Sequence, residues 1–147
     1  MKSKSTPATV RVMRITDMPA ARTLWKNTEG VGLMPDETPQ LLAAFLTRNP
    51  GISSVAVSDD GRLLGAMLGG HDGRRGYLYH LAVVPEYRGR GLARSLVEHS
   101  LGALAAAGIA KASIMVYADN KPGLAFWERL GWNRRGDLKL MQANSSQ

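Results

Sequence analysis

The stretch LAVVPEYRGRGLARSLVE, residues 81–98, constrains the fold of this chain more than any other. An apolar run of strand character passes through a turn with glycines at 89 and 91 into apolar residues at helical spacing. A helix with one apolar stripe has to cover a sheet or another helix, and a strand feeding directly into it points to an α/β layer arrangement. Leu92, Leu96, Val97, Leu101 and Leu104 mark the stripe, and Gly108 stands where a helix C-terminal cap belongs. Pro85 suits the end of the strand, since it cannot donate to a ladder.

The rest of the chain reads in the same alternating way. Residues 9–15 predict a strand, followed by Asp17 as N-cap and Pro19 in the first turn of a helix over 18–28. Thr38 and Pro39 repeat this start signal, with Leu41, Leu42, Phe45 and Leu46 on one face of a second helix that ends at Asn49-Pro50-Gly51. Runs 52–58 and 62–68 predict strands joined at Asp59-Asp60-Gly61, and the turn 71–76 leads into a third strand, 77–84. Residues 112–117 predict a strand, 121–130 a helix closed by Gly131, and 132–141 a weaker last strand. The order βααβββαβαβ is an α/β (α+β) domain with a mixed, largely antiparallel sheet. One domain spanning 1–147 is expected, with loose tails at 1–8 and 143–147.

Composition narrows the chemistry. With no cysteine and with His71, His80 and His99 at no ligand-like spacing, neither a disulfide nor a metal site is expected. No apolar run reaches the roughly 18 residues of a membrane span, so a soluble cytoplasmic protein without a membrane partner is the expectation. A formal charge of +7 fits a polyanionic partner such as nucleic acid or a phosphorylated small molecule.

The turn itself favours the small molecule. The first amides of a helix have no partner inside it, and the helix dipole adds partial positive charge at that end. Gly89, Gly91 and Ala93 let a backbone approach a bulky anion, and Arg88, Arg90 and Arg94 add forked donors for phosphate oxygens. A P-loop needs G-x-x-x-x-G-K-[ST], which is absent, and a dinucleotide fingerprint needs a third glycine where Arg94 stands. What remains is R-x-x-G-x-A, filled by Arg88, Gly91 and Ala93, directly after Leu81-Ala82-Val83.

On these residues the chain resembles the GNAT superfamily of N-acetyltransferases, from its opening strand to AFWERLGW at 125–132. The resemblance implies acetyl-coenzyme A as cosubstrate and transfer of its acetyl group to the amine of a small molecule, peptide or protein. It implies that the amides of Gly89, Arg90, Gly91, Leu92, Ala93 and Arg94 wrap the coenzyme pyrophosphate, with Arg88 beside them. Leu81, Ala82 and Val83 would line the pantetheine arm like an added strand, with Asn120, Gly123 and Phe126 contributing from the following helix. The strands of residues 77–84 and 112–117 would splay apart to admit the thioester.

For catalysis, Tyr77 and Tyr79 occupy the substrate-facing positions of the third strand, where family members often carry Glu or His, and are expected to order a water chain toward the amine. Alternation puts His80 on the opposite face. A backbone N–H near Val83 would face the developing oxyanion. After Ala125-Phe126 the family commonly has a tyrosine that protonates the thiolate; here Trp127 stands, an indole that is no acid at neutral pH, leaving Tyr117 or water for that proton. The resemblance implies an acceptor pocket formed by the segment 24–45 and by the end of the chain, and Glu29, Asp36 and Glu37 offer negative charge there to a cationic amine. The competing readings are a coenzyme-binding module without transfer activity and, third, nucleic-acid binding, which is not expected. A homodimer stays open.

Overall fold

A computed structural model of the chain describes residues 8–146. The described residues fall into two compact units, one up to Met115 and one from Val116 on. The tail expected at 1–8 lies outside the described residues except for Ala8, which begins the first strand. Residue 147 lies outside them as well, and residues 143–146 are exposed and form neither helix nor strand.

The first unit is a five-stranded sheet. Strands β1 (Ala8–Val12), β2 (Ser54–Ser58), β3 (Leu63–His71), β4 (Gly76–Val83) and β5 (Ala112–Ile114) lie in chain order. All neighbours pair antiparallel except β4 and β5, which run parallel. Helices α1 (Met18–Lys26) and α2 (Pro39–Arg48) precede β2, and α3 (Leu92–Ala106) connects β4 to β5.

Two apolar layers hold the sheet. Met18, Ala21, Leu24 and Trp25 of α1 and Leu42 and Leu46 of α2 pack with Val55, Ala66, Leu68 and Ala82 of the strands. Each such large side chain, fully buried, contributes roughly 1.5–3 kcal/mol before conformational entropy is subtracted. On the other side α3 packs on β2, β3 and β4 through Leu96, Val97 and Leu104. A polar stitch fixes α3 in register: the Ser100 hydroxyl donates to Ile52 O at 2.7 Å, and Ser54 Oγ donates to Leu96 O at 3.2 Å. All of these groups are buried, so each would be costly to leave without a partner.

Four expectations change. Asp17 precedes α1 but does not cap it with its side chain; the carboxylate instead takes the Arg14 N–H at 2.8 Å and both arms of the Arg11 guanidinium, a charge-assisted fork that wins over a neutral cap. Leu41 stands exposed rather than on the buried stripe, because Leu42 and Leu46 carry the contact with α1 and the sheet. The strand expected at 112–117 stops at Ile114. The last strand, 132–141, does not form. Within that stretch Arg135 pairs with Asp137 across Gly136 and Leu138 N–H bonds Arg135 O, so the backbone turns where a ladder would need it extended.

The second unit carries α4 (Lys121–Arg129), capped by Asn120 Oδ1 accepting Gly123 N–H at 3.0 Å. Trp127 is buried there, with its ring edge-on to Trp132 at 4.8 Å and to Phe126 at 5.2 Å. Among the described residues no helix is long and apolar enough to cross a membrane.

Candidate active site

The turn before α3 is built from two left-handed residues, Gly89 at φ 78° and Gly91 at φ 85°, a conformation that costs other residues roughly 1–2 kcal/mol. Left-handed residues at this spacing turn successive amides to one side, the geometry of an anion-binding nest. The first bond of α3 runs from Ser95 N–H to Gly91 O, and no side chain caps the helix. The amides of Gly89, Arg90, Gly91, Leu92, Ala93 and Arg94 therefore have no acceptor among the described residues. A Cβ built on either glycine would meet nothing within 4 Å, so space for a ligand lies over the turn.

The three arginines are not equivalent. Arg88 Nε donates to Val83 O at 2.9 Å, tying the turn to the end of β4. Arg90 lies over the Tyr87 ring at 4.7 Å, and Arg94 sits 3.9 Å from Glu98 one helical turn on. Arg88 thus holds the backbone in place, and the amides from Gly89 to Arg94 are left free.

Next to this turn β4 has an open edge. β5 pairs only with Gly76, Tyr77 and Leu78 of β4, so among the described residues no strand pairs with Tyr79 to Val83 on that side. Val84 N–H bonds Leu64 O on β3, and alternation aims the N–H of Val83 the other way, toward the open edge. The Val83 carbonyl is already engaged by Arg88, which leaves its N–H as the free group. Ala82 is buried together with its cross-strand partner Ala66 on β3, and Leu81 is half-buried.

The expectation for His80 is overturned. Ala66 pairs with Ala82 and Leu68 with Tyr79, so His80 and Leu81 together oppose the single residue Met67. This is a β-bulge, and it resets the alternation. His80 takes φ 59°, the only positive φ at a non-glycine among the described residues, a strain of about 1–3 kcal/mol. Its ring consequently lies with the α1 side: it is 5.2 Å from the Trp25 ring and 6.4 Å from Tyr79, and its Nε2 is 2.6 Å from Glu37 Oε1. Tyr77 and Tyr79 stack at 6.2 Å, and Tyr79 stands edge-on to Phe45. Burial, and to a smaller degree Tyr77, pushes the Tyr79 phenol above its usual pKa, so it is a donor at neutral pH and not a base.

Sequence reasoning missed the His80–Glu37 pair. The bulge leaves no local signal, and the partners are 43 residues apart. Tyr117, Asn120, Gly123 and Phe126 belong to the second unit; there Tyr117 is exposed and the Asn120 side chain is engaged as the α4 cap.

A parallel pair that ends after three residues and an uncapped glycine turn at a helix start together leave a strand edge and a set of amides open to an anionic ligand with an extended arm. The chain belongs to the Acetyltransferase (GNAT) family, whose model matches residues 19–132, and is an acyltransferase. It is 33% identical over 133 residues to Acetyltransferase SG1711 of Sodalis glossinidius (strain morsitans), covering 90% of this chain and 92% of that protein. It is 34% identical over 122 residues to Acetyltransferase ECA0875 of Pectobacterium atrosepticum, with 82% and 84% covered. Its fold is similar to that of an aminoglycoside N-acetyltransferase, AAC(6')-Iy, solved in complex with CoA, with a TM-score of 0.77, 17% identity and 99% of both chains covered.

Proposed function

We propose that the protein moves an acetyl group from acetyl-CoA to a primary amine by direct attack in a ternary complex. The observation that carries this reading is the run of unpartnered amides from Gly89 to Arg94, beside the open edge of β4. The diphosphate takes those amides, and the pantetheine arm lies along Leu81, Ala82 and Val83, as in strand addition. The amine nitrogen bonds to the acetyl carbon while the carbon–sulfur bond breaks, and the Val83 N–H faces the oxygen on which negative charge develops.

The amine must lose a proton on the way. At a pKa near 10.4 an amine is neutral about once in a few thousand molecules at pH 7, a deficit of roughly 4–5 kcal/mol. Tyr77 and Tyr79 line the approach and orient water toward the nitrogen, and Tyr79 acts as a donor, its phenol raised further above neutral by burial. The thiolate, with a pKa near 8.5, is a tolerable leaving group and takes its proton from water.

The test is thiol release from acetyl-CoA with a panel of an aminoglycoside, a polyamine and a peptide with a free N-terminus. Turnover with any of them, with an acetylated product by mass, is the expected result. Tight coenzyme binding without turnover of any amine overturns the reading and leaves a binding module.

A further inference from the structure

The bulged histidine is placed for a task that the acetyl-transfer reading leaves to water. We infer that His80 is the proton acceptor for the incoming amine and that Glu37 is the positioning residue that orients it; this rests on the acetyl-transfer reading above.

Glu37 is held from several sides, so its free oxygen has a fixed direction. Its Oε2 accepts the Met34 N–H at 3.0 Å, its own N–H bonds Met34 O at 3.0 Å, and its carbonyl accepts Arg22 Nη2 at 3.3 Å. Thr38, the next residue, caps α2 through its hydroxyl. The remaining oxygen, Oε1, meets His80 Nε2 at 2.6 Å. A carboxylate only accepts, so the imidazole donates from Nε2, and in its neutral form the lone pair falls on Nδ1. Nδ1 has no polar partner among the described residues. A histidine fixed in one tautomer by a carboxylate, with its other nitrogen free, is the arrangement of a general base.

Its surroundings agree. The ring is packed by Trp25 of α1 and by Tyr79 of its own strand, and the side chain is only 11% exposed. The titratable groups around it are Glu37 from the α1–α2 connection, Arg22 of α1 through the Glu37 carbonyl, and Tyr79 with Tyr77 stacked on it. His80 immediately precedes Leu81 on the open edge of β4, where the thioester is proposed to lie. In the step, an N–H bond of the bound ammonium breaks toward Nδ1 before attack and frees the nitrogen lone pair; the imidazolium that results shares its Nε2 proton with Glu37 and returns the extra proton to water, while the second proton, lost as the nitrogen–carbon bond forms and the carbon–sulfur bond breaks, leaves to water as the thiolate takes one up.

The experiment compares two amines of similar shape with the full chain: propylamine, mostly protonated at pH 7, and 2,2,2-trifluoroethylamine, already largely neutral there. His80→Asn keeps a residue that tolerates the left-handed backbone. It is expected to lower kcat with propylamine about 100-fold or more, and to change kcat with trifluoroethylamine less than threefold. Glu37→Gln, which keeps an acceptor oxygen but removes the charge, is expected to cost about tenfold with propylamine only. Coenzyme A affinity by calorimetry should stay within twofold in both variants, which also reports folding. Equal losses with both amines, or a His80→Asn variant within threefold of wild type on propylamine, overturn the role. Independently of turnover, long-range proton–nitrogen NMR of the wild-type chain should find His80 as the Nε2–H tautomer; the Nδ1–H tautomer overturns it too. Failure of the wild type on every amine falls instead on the acetyl-transfer reading.

Discussion

The turn at Gly91 admits a matched test, because α3 carries a left-handed glycine at each end. Gly91 has φ 85° and Gly108 has φ 84°, and a Cβ built on either meets nothing within 4 Å. Replacing either by Ala therefore imposes the same strain, roughly 1–2 kcal/mol, without any steric clash inside the protein. For a chain of this size that amounts to a fall in Tm of about 2–4 °C per kcal/mol. The two variants differ in what the strained residue supports. Gly108 closes α3, where Ile109 N–H bonds Leu104 O, whereas Gly91 holds the free amides in one direction. If Gly91→Ala relieves its strain by leaving the left-handed region, coenzyme has to restore that geometry on binding, and Kd rises about 5- to 30-fold, since 1.4 kcal/mol is a factor of ten. Thermal melting and calorimetry with coenzyme A on both variants decide the matter. The expectation is similar losses of Tm and a loss of affinity confined to Gly91→Ala. Wild-type affinity in Gly91→Ala, or an equal loss in Gly108→Ala, refutes the assignment of the diphosphate to this turn.

Other expectations follow from single contacts. Burial opposes the charge on Asp17, but hydrogen bonds from Arg11 and from the Arg14 amide outweigh it and hold the carboxyl below its usual range. A depressed folded pKa gives stability that is present above the unfolded value near 3.9 and lost as pH falls through the folded one. Asp17→Asn should therefore lower Tm at pH 7, and its melting curve should converge on that of wild type below about pH 4. Thr38→Ala removes the hydroxyl that accepts Leu41 N–H at 3.2 Å and should cost about 1 kcal/mol by denaturant titration. Gly76→Ala would set a Cβ 2.7 Å from Leu104 Cδ1 in the packed layer under α3 and should cost about 1–3 kcal/mol; a neutral melt would show that Leu104 can move aside.

Much of this protein was legible from local chemistry. The start of α3, the Thr38 cap and the hairpin turn at Gly61 each depend on a few neighbouring residues. Leu92 to Leu104 repeat at the period of a helix whatever the helix packs against. The open edge of β4 was legible only through the resemblance, since how far β5 runs beside β4 is set by pairing across the sheet. The failed strand at 132–141 shows the same limit: alternating apolar residues make a strand only where a neighbour accepts its backbone bonds, and there the Arg135–Asp137 pair bends the chain instead.

The sequence by itself determined the chemistry available and where the anion-binding turn falls, because glycine conformation and helix starts are local. Only the tertiary structure decided which side chains face the acceptor. One extra residue in β4, counted against Met67 on β3, rotates His80 onto the face of Tyr77 and Tyr79 and delivers it to Glu37. Register is a property of two paired strands, and no reading of one strand alone contains it.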